Sequence, residues 1–206
     1  MRRTKGILAV IPLCAVIACN QPAPQAPATA PAAPGAQAAP TQTPAERGKY
    51  LVSAVGACDD CHTPKNFGPQ GPTLDMSRRL SGHPSADRLP KTPAGIFAPD
   101  KFGFLGANDL TAWVGPWGTS YPINLTPDKA TGLGSWTEAM FVKAIRTGKH
   151  QGEGRPILPP MPWEIYRQMT DDDLKAVWAF LQTLPPIQNA IPDPIPPPGA
   201  PPAPAK

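Results

Sequence analysis

Two cysteines and a histidine form the most chemically specific cluster of the chain, Cys58-Asp59-Asp60-Cys61-His62. The thiols are three residues apart, so one turn of helix places them on the same face. Two thiols at this spacing can reach the two vinyl groups of one porphyrin, and the histidine that follows can give a ring nitrogen to the iron. The cluster therefore predicts one covalently bound haem c, with His62 as the proximal iron ligand.

Three other interpretations of the same cluster stay open: a redox-active disulfide, half of a zinc site, and chance. A thioredoxin-like disulfide would need a strand before it and a βαβ context, which the sequence does not indicate. Zinc would need a second pair of ligands. The two remaining cysteines, Cys14 and Cys19, lie close to the N-terminus.

A second axial ligand would have to come from elsewhere in the chain, and we predict Met161. It lies in Leu158-Pro159-Pro160-Met161-Pro162-Trp163, where three prolines restrict the backbone around the thioether. Pairing of methionine with histidine is an axial arrangement of cytochromes c. His83 and His150 are alternatives, although each is expected to be a solvated loop histidine. The other candidate methionines are expected to fill the core or to lack a rigid frame: Met76, Met140 and Met169.

The N-terminus has the pattern of an export signal. Three basic residues precede an apolar run over residues 7–18, which is too short for an ordinary bilayer-spanning helix. The run ends in Val16-Ile17-Ala18-Cys19, which resembles a bacterial lipobox. That resemblance implies cleavage before Cys19 and lipid attachment to it, which would anchor the protein to a membrane on the periplasmic side of the bacterial cell envelope. The alternative is a signal-peptide cysteine with cleavage further on.

Charge and proline content divide the rest of the chain. The net charge of +4 falls to +1 without the three basic residues of the signal. The remaining chain therefore lacks the excess of positive charge that is typical of nucleic-acid-binding proteins. Of the 32 prolines, 8 lie before residue 45 and 10 lie after residue 184. We therefore predict a signal peptide over 1–18, an anchor and disordered linker over 19–44, a folded domain over 45–186 and a disordered tail over 187–206.

Helices must position the candidate ligands in that domain, and the sequence predicts few of them. Pro44 can open the first, which Gly56 ends just before the haem motif. A capping box, Ser135-Trp136-Thr137-Glu138, opens another that Gly148 closes, and Thr170 caps the last. Pro162 can open a short helix between them. The prediction is an all-α fold with long loops, in which the haem gives the 73 residues from Thr63 to Ser135 a surface to pack against.

Over roughly residues 44–186 the sequence resembles class I (monohaem) c-type cytochromes. The resemblance rests on the haem motif, on Gly71-Pro72-Thr73-Leu74 and on Pro160-Met161-Pro162. Three further phrases are similar to the cytochrome c subunits of bacterial periplasmic dehydrogenases: Asn124-Leu125-Thr126-Pro127-Asp128, the segment 131–137, and Thr170-Asp171-Asp172-Asp173-Leu174.

This resemblance implies a class I cytochrome c fold around one haem. It implies that the first and last helices cross near Gly48, with Tyr50 and Trp178 close to the contact. It also implies that a proline carbonyl, from Pro72 or its rival Pro64, accepts a hydrogen bond from His62. Residues 75–121 would be a loop insertion whose aromatic side chains cover a haem edge or form a docking patch: Phe97, Phe102, Phe104, Trp113, Trp117 and Tyr121.

The function that follows is one-electron transfer without substrate chemistry of its own. The chain would carry electrons from a redox protein donor, such as a periplasmic dehydrogenase subunit, to a respiratory acceptor. The alternative is a haem protein with a labile sixth ligand that binds small molecules or reduces peroxide. A membrane-anchored interaction module with a structural haem is a third interpretation.

Overall fold

The computed structural model describes residues 42–199. The predicted signal peptide, Cys19, nearly all of the predicted linker and the end of the tail lie outside this range. Within this range, five α-helices and five short strands carry the fold: α1 (Pro44–Tyr50), α2 (Cys58–His62), β1 (Lys65–Gly68), β2 (Gly71–Leu74), β3 (Leu105–Gly106), β4 (Trp113–Gly115), β5 (Gly118–Ser120), α3 (Glu138–Thr147), α4 (Trp163–Tyr166) and α5 (Asp171–Leu181).

Helix α1 begins in a capping box and leads into the haem motif. The Thr43 hydroxyl accepts from the backbone N–H of Glu46, whose carboxylate accepts from the Thr43 N–H at 2.8 Å. A π-helical turn, Leu51–Val55, continues the helix as far as Gly56. The predicted extent of this first helix is therefore confirmed, and its last turn is wider than an α-turn.

Helix α1 crosses helix α5 at Gly48. A Cβ atom built on Gly48 would lie 1.9 Å from the backbone oxygen of Ala176 and 2.8 Å from the Cβ of Phe180. Glycine therefore permits the close approach expected at this position. Of the side chains expected close to the contact, Tyr50 is 52% exposed and Trp178 packs against the ring of Phe141.

Helices α3 and α5 begin at threonine caps. The Thr170 hydroxyl accepts from the Asp173 N–H at 3.1 Å, as predicted. At α3 the predicted cap, Ser135, is wrong. Ser135 belongs to the 3₁₀ turn Leu133–Ser135, and the hydroxyl of Thr137 caps the helix by accepting from the Met140 N–H at 3.2 Å.

Eight apolar side chains between these elements form the core: Val52, Leu80, Leu133, Phe141, Ile145, Leu174, Phe180 and Leu181.

Two small antiparallel sheets accompany the helices and were not predicted. Strands β1 and β2 form a hairpin with Lys65 opposite Leu74, and β3, β4 and β5 form a second sheet in that order. The strands are two to four residues long, too short to show an alternating pattern in the sequence. The framework is helical, and the all-α prediction is incomplete in the segment between residues 65 and 120.

The prediction of a disordered tail is wrong for residues 187–199. The N–H of Ile187 donates to the Thr126 hydroxyl at 3.1 Å, and the Asn189 amide donates to the backbone oxygens of Ser81 and His83, each at 2.8 Å. Ile195 exchanges two backbone hydrogen bonds with Thr119. Proline lacks an N–H donor, but the residues between the prolines keep theirs and pair with the body of the domain.

None of the helices over residues 42–199 has the length and apolar character needed to cross a membrane.

Candidate functional site

The haem motif and the methionine loop face one large apolar cavity. It lies among the π-helical turn, α2, α3, α4 and α5, and its empty space, counted with the open mouth, is about 1430 Å³. Cys58, Cys61, His62 and Met161 all border it. The structure thus brings together the four residues that the sequence predicts to hold a haem.

Helix α2 places the two thiols on the cavity wall. The backbone turns sharply at Ala57 (φ 48°, ψ 34°), which reverses the chain between Gly56 and the helix. Cys58 and Cys61 are both free thiols. Burial, followed by the charge of Asp59, raises the pKa of Cys58 to about 12, and burial also raises the pKa of Cys61. Both thiols are therefore neutral at neutral pH.

A backbone carbonyl fixes the imidazole of His62. Its Nδ1 lies 2.8 Å from the oxygen of Ile123, and because a carbonyl only accepts, Nδ1 carries the proton and donates. Burial lowers the pKa of His62 despite this hydrogen bond. The ring is thus neutral, and its lone pair is on Nε2, which is the form that binds a metal.

The prediction that Pro72 accepts this hydrogen bond is wrong. Pro72 is exposed in β2, opposite Phe67. The rival Pro64 is buried, but its carbonyl accepts instead from the N–H of Asp75 at 2.8 Å. Sequence reasoning missed Ile123, which directly precedes the phrase Asn124-Leu125-Thr126-Pro127-Asp128. That phrase, which is similar to a segment of dehydrogenase cytochrome c subunits, was the feature of the sequence that could have directed attention to Ile123.

A partly buried ion pair connects α2 with Arg79. The carboxylate of Asp59 accepts from Nε and Nη2 of Arg79, both at 2.8 Å. The Thr63 hydroxyl donates to the same carboxylate at 3.3 Å. Burial alone would raise the pKa of Asp59, but the hydrogen bonds and charge of Arg79, together with the hydroxyls of Ser53 and Thr63, outweigh it and the pKa is lowered. These paired charges orient the helix that carries the cysteines.

Helix α4 is tied to the turn that precedes α2. The hydroxyl of Tyr166 donates to the backbone oxygen of Gly56 at 2.6 Å, and the ring borders the cavity. Burial raises the pKa of Tyr166 to about 12. Sequence reasoning missed this contact, because the acceptor is a backbone carbonyl 110 residues away.

Met161 is held in the loop between α3 and α4. The Ser120 hydroxyl donates to the carbonyl of Pro159 at 2.5 Å, which connects this loop to β5. The side chain of Met161 is half-buried and packs against the core. Met169 has the core position expected for it and also borders the cavity, whereas Met76 is 59% exposed.

The expectation of a solvated loop histidine is wrong for His83, which is buried, whereas His150 is half-buried in the short turn His150–Gly152. His83 is 2% exposed, with Nδ1 3.0 Å from the Thr111 hydroxyl and its ring 4.7 Å from that of Tyr121. His150 borders the cavity and stands edge-on to Trp136 at 5.0 Å. Of the two, His150 remains an alternative ligand.

The aromatic side chains of the insertion divide between the cavity and the surface. Trp113 and Tyr121 border the cavity. Phe104 packs edge-on against Trp113 at 5.7 Å but is 50% exposed, and Phe102 is 60% exposed. Trp113 and Tyr121 therefore form part of the cavity wall, whereas Phe102 and Phe104 are on the surface.

These residues fit a covalently bound haem. Two free thiols and a neutral imidazole with an available lone pair border the cavity, and a thioether also borders it. The surrounding wall is largely apolar, as a macrocycle requires. Within residues 42–199, no cluster of three or more His, Cys, Asp or Glu side chains has the arrangement of a protein-only metal site, such as the zinc interpretation would need.

Sequence comparison connects the chain with components of bacterial dehydrogenases. It is 31% identical to a nicotinate dehydrogenase subunit of Pseudomonas putida over 147 residues, which are 71% of this chain and 9% of that protein. It is 32% identical to the gluconate 2-dehydrogenase cytochrome c subunit of Pantoea cypripedii over 149 residues, which are 72% of this chain and 25% of that protein.

A third relative is the fructose dehydrogenase cytochrome subunit of Gluconobacter japonicus, 38% identical over 68 residues, or 33% of this chain and 14% of that protein. The chain therefore spans between about a tenth and a quarter of these relatives. No protein-family model matches it. The similarity and the cysteine motif on the cavity wall agree, and the chain resembles the cytochrome c subunits of bacterial dehydrogenases.

Proposed function

We propose that this chain is a one-electron carrier with a single haem c, attached through Cys58 and Cys61 and ligated by His62 and Met161. The observation that carries the proposal is the meeting of all four side chains at one apolar cavity. The sequence contains one Cys-x-x-Cys-His motif, which supports one haem. When bound, the haem supplies an iron that cycles between ferric and ferrous states.

In this proposal the protein supplies ligands, orientation and exclusion of water. The carbonyl of Ile123 keeps the proton of His62 on Nδ1, so that Nε2 is the ligating atom. Met161 would be the second protein ligand of the iron, and its thioether would favour the reduced state, because a thioether ligand raises the reduction potential. The alternative, a haem with a labile sixth ligand, requires that Met161 does not bind.

Replacing Met161 by alanine tests the ligand assignment. We expect the ferric charge-transfer band of methionine-ligated haem to disappear, the midpoint potential to fall, and the ferrous protein to bind carbon monoxide. Optical redox titration measures all three. Met76→Ala is the matched control, because that side chain is 59% exposed and should leave the spectrum unchanged. An unaltered spectrum and potential in Met161→Ala would remove Met161 as the ligand and direct the same test to His150.

The proposal includes a location and a partner. Residues 1–18 would be a signal peptide and 19–44 a lipid-anchored linker, and the cytochrome domain would begin at residue 45 and lie on the periplasmic side of the cell envelope. Two relatives are cytochrome subunits of gluconate and fructose dehydrogenases, which supports a dehydrogenase as the electron donor. A respiratory component would then be the acceptor.

Replacing Cys19 by serine tests the anchor and the donor together. We expect the variant to leave the membrane fraction and to remain haem-loaded, since Cys19 is outside the haem motif. Gluconate, fructose or an alcohol should reduce the parent haem in membranes, and the released variant should be reduced more slowly. Fractionation and haem absorbance give the measurements. Retention of Cys19→Ser in membranes would contradict lipid attachment at this cysteine, and absence of reduction by any of these substrates would contradict these donors.

A further inference from the structure

One charged side chain borders the cavity. Among residues 42–199, every lining residue other than Arg155 is apolar or carries no permanent charge. Arg155 lies in the loop that connects α3 to Met161, and its backbone oxygen accepts from the N–H of His150 at 2.9 Å. The loop that carries the candidate axial ligand Met161 therefore also places Arg155 at the cavity.

Most N–H donors of the Arg155 guanidinium make no hydrogen bond within the described residues. Among residues 42–199 the side chain makes one direct hydrogen bond, from Nη1 to the neighbouring carbonyl of Pro156 at 3.3 Å, a long contact for a group with five N–H donors. Partial burial lowers the pKa of Arg155, although Asp193 acts in the opposite direction. A partly desolvated guanidinium at an apolar wall favours an anionic partner that it can bind through two parallel hydrogen bonds.

We propose that Arg155 is a carboxylate-binding residue of this cavity and that it holds a propionate of the bound haem. The inference rests on the proposed haem. A haem carries two propionate groups, and a carboxylate brought against an apolar wall is costly unless it is paired with a cation or hydrogen-bond donors. Arg155 is the cation that this wall offers within the described part of the chain.

Residues of the C-terminal segment lie close to Arg155 and to the cavity. Asp193 interacts electrostatically with Arg155, and the adjacent Pro194 borders the cavity. The segment is fixed nearby by the pairing of Ile195 with Thr119 in β5. Arg155 thus borders the cavity and also interacts electrostatically with Asp193, and its five N–H donors are enough to bind more than one carboxylate.

A cation at this position favours the ferrous state, because reduction removes one positive charge from the iron. Replacing Arg155 by glutamine should therefore lower the midpoint potential and alter the propionate bending modes in the resonance Raman spectrum. The control is Arg88→Gln, which removes the same charge from an exposed loop outside the cavity lining. The shift at Arg155 should exceed the shift at Arg88, and the control should leave the bending modes unchanged.

Equal shifts in the two variants, with unchanged propionate modes in Arg155→Gln, would overturn the inference. If Arg155→Gln yields no haem-loaded protein, Arg155→Lys decides, because it keeps the charge but loses the paired donors. Altered propionate modes in the lysine variant support the inference, and unaltered modes overturn it. The haemochrome spectrum of the parent separates this result from the proposed function: a parent without covalent haem refutes both, whereas a haem-loaded parent confines any failure to Arg155.

Discussion

Replacing Cys58 and Cys61 together by alanine should abolish covalent haem attachment. Both side chains border the cavity from helix α2, and neither is in a disulfide. Without thioether bonds, any haem that enters can be extracted with acid and solvent. The stability contributed by a permanently bound ligand is also lost, because binding to the folded state alone stabilises it by mass action. We expect no haem-stained band on a denaturing gel and a lower unfolding midpoint.

The matched control lies within the same helix. Asp60 sits between the two cysteines and is exposed, so Asp60→Ala should retain the haem. Each single cysteine variant should keep one thioether bond and show a shifted haemochrome spectrum. The other interpretations of the motif predict different results. A parent protein that contains zinc, or a disulfide reversible with dithiothreitol, and no haem would refute the assignment.

Replacing Gly48 by alanine should destabilise the domain strongly. The added Cβ would lie 1.9 Å from the backbone oxygen of Ala176, and a backbone atom cannot move aside as the end of a flexible side chain can. Helices α1 and α5 must therefore separate. Overpacking of this kind typically costs about 1–3 kcal/mol, and occasionally more. We expect a loss at or above the upper end of this range in the free energy of unfolding of the haem-loaded protein, measured by denaturant titration.

The direction of the change in stability distinguishes a close helix crossing from helix propensity. Alanine is about 1 kcal/mol better than glycine within a helix, so propensity alone would stabilise the variant. Gly103→Ala is the control, because a Cβ there meets no atom within 4 Å, and it should change stability by less than about 0.5 kcal/mol. A Gly48→Ala variant as stable as the parent would contradict the close crossing of the two helices.

The functional residues and helix caps that belong to a short sequence motif were predictable from the sequence. Cys58, Cys61 and His62 were found through their spacing, and the cap of α5 through Thr170 and the acidic residues after it. Met161 was singled out because of the prolines beside it, and it borders the cavity. In each case the information lies within a few neighbouring residues.

Features that depend on distant backbone atoms were not predictable. The acceptor for His62 is a carbonyl 61 residues away, and every residue type has such a carbonyl, so Ile123 carries no signal of its own. The burial of His83 depends on Thr111 and Tyr121, which approach it only in the folded chain. The charge of Arg155 is visible in the sequence, but its position at the cavity is not.

The hydrogen bonds of the C-terminal segment also determine the order in which the domain can be completed. Asn189 pairs with backbone oxygens 106 and 108 residues earlier, and Ile187 pairs with Thr126 across 61 residues. Contacts between such distant parts of the chain close large loops and are entropically expensive to form early. They can form only after the chain has been synthesised beyond residue 189. Until then, the strand that faces Ile195 and the loops around Ser81 and Asn124 lack their last partners.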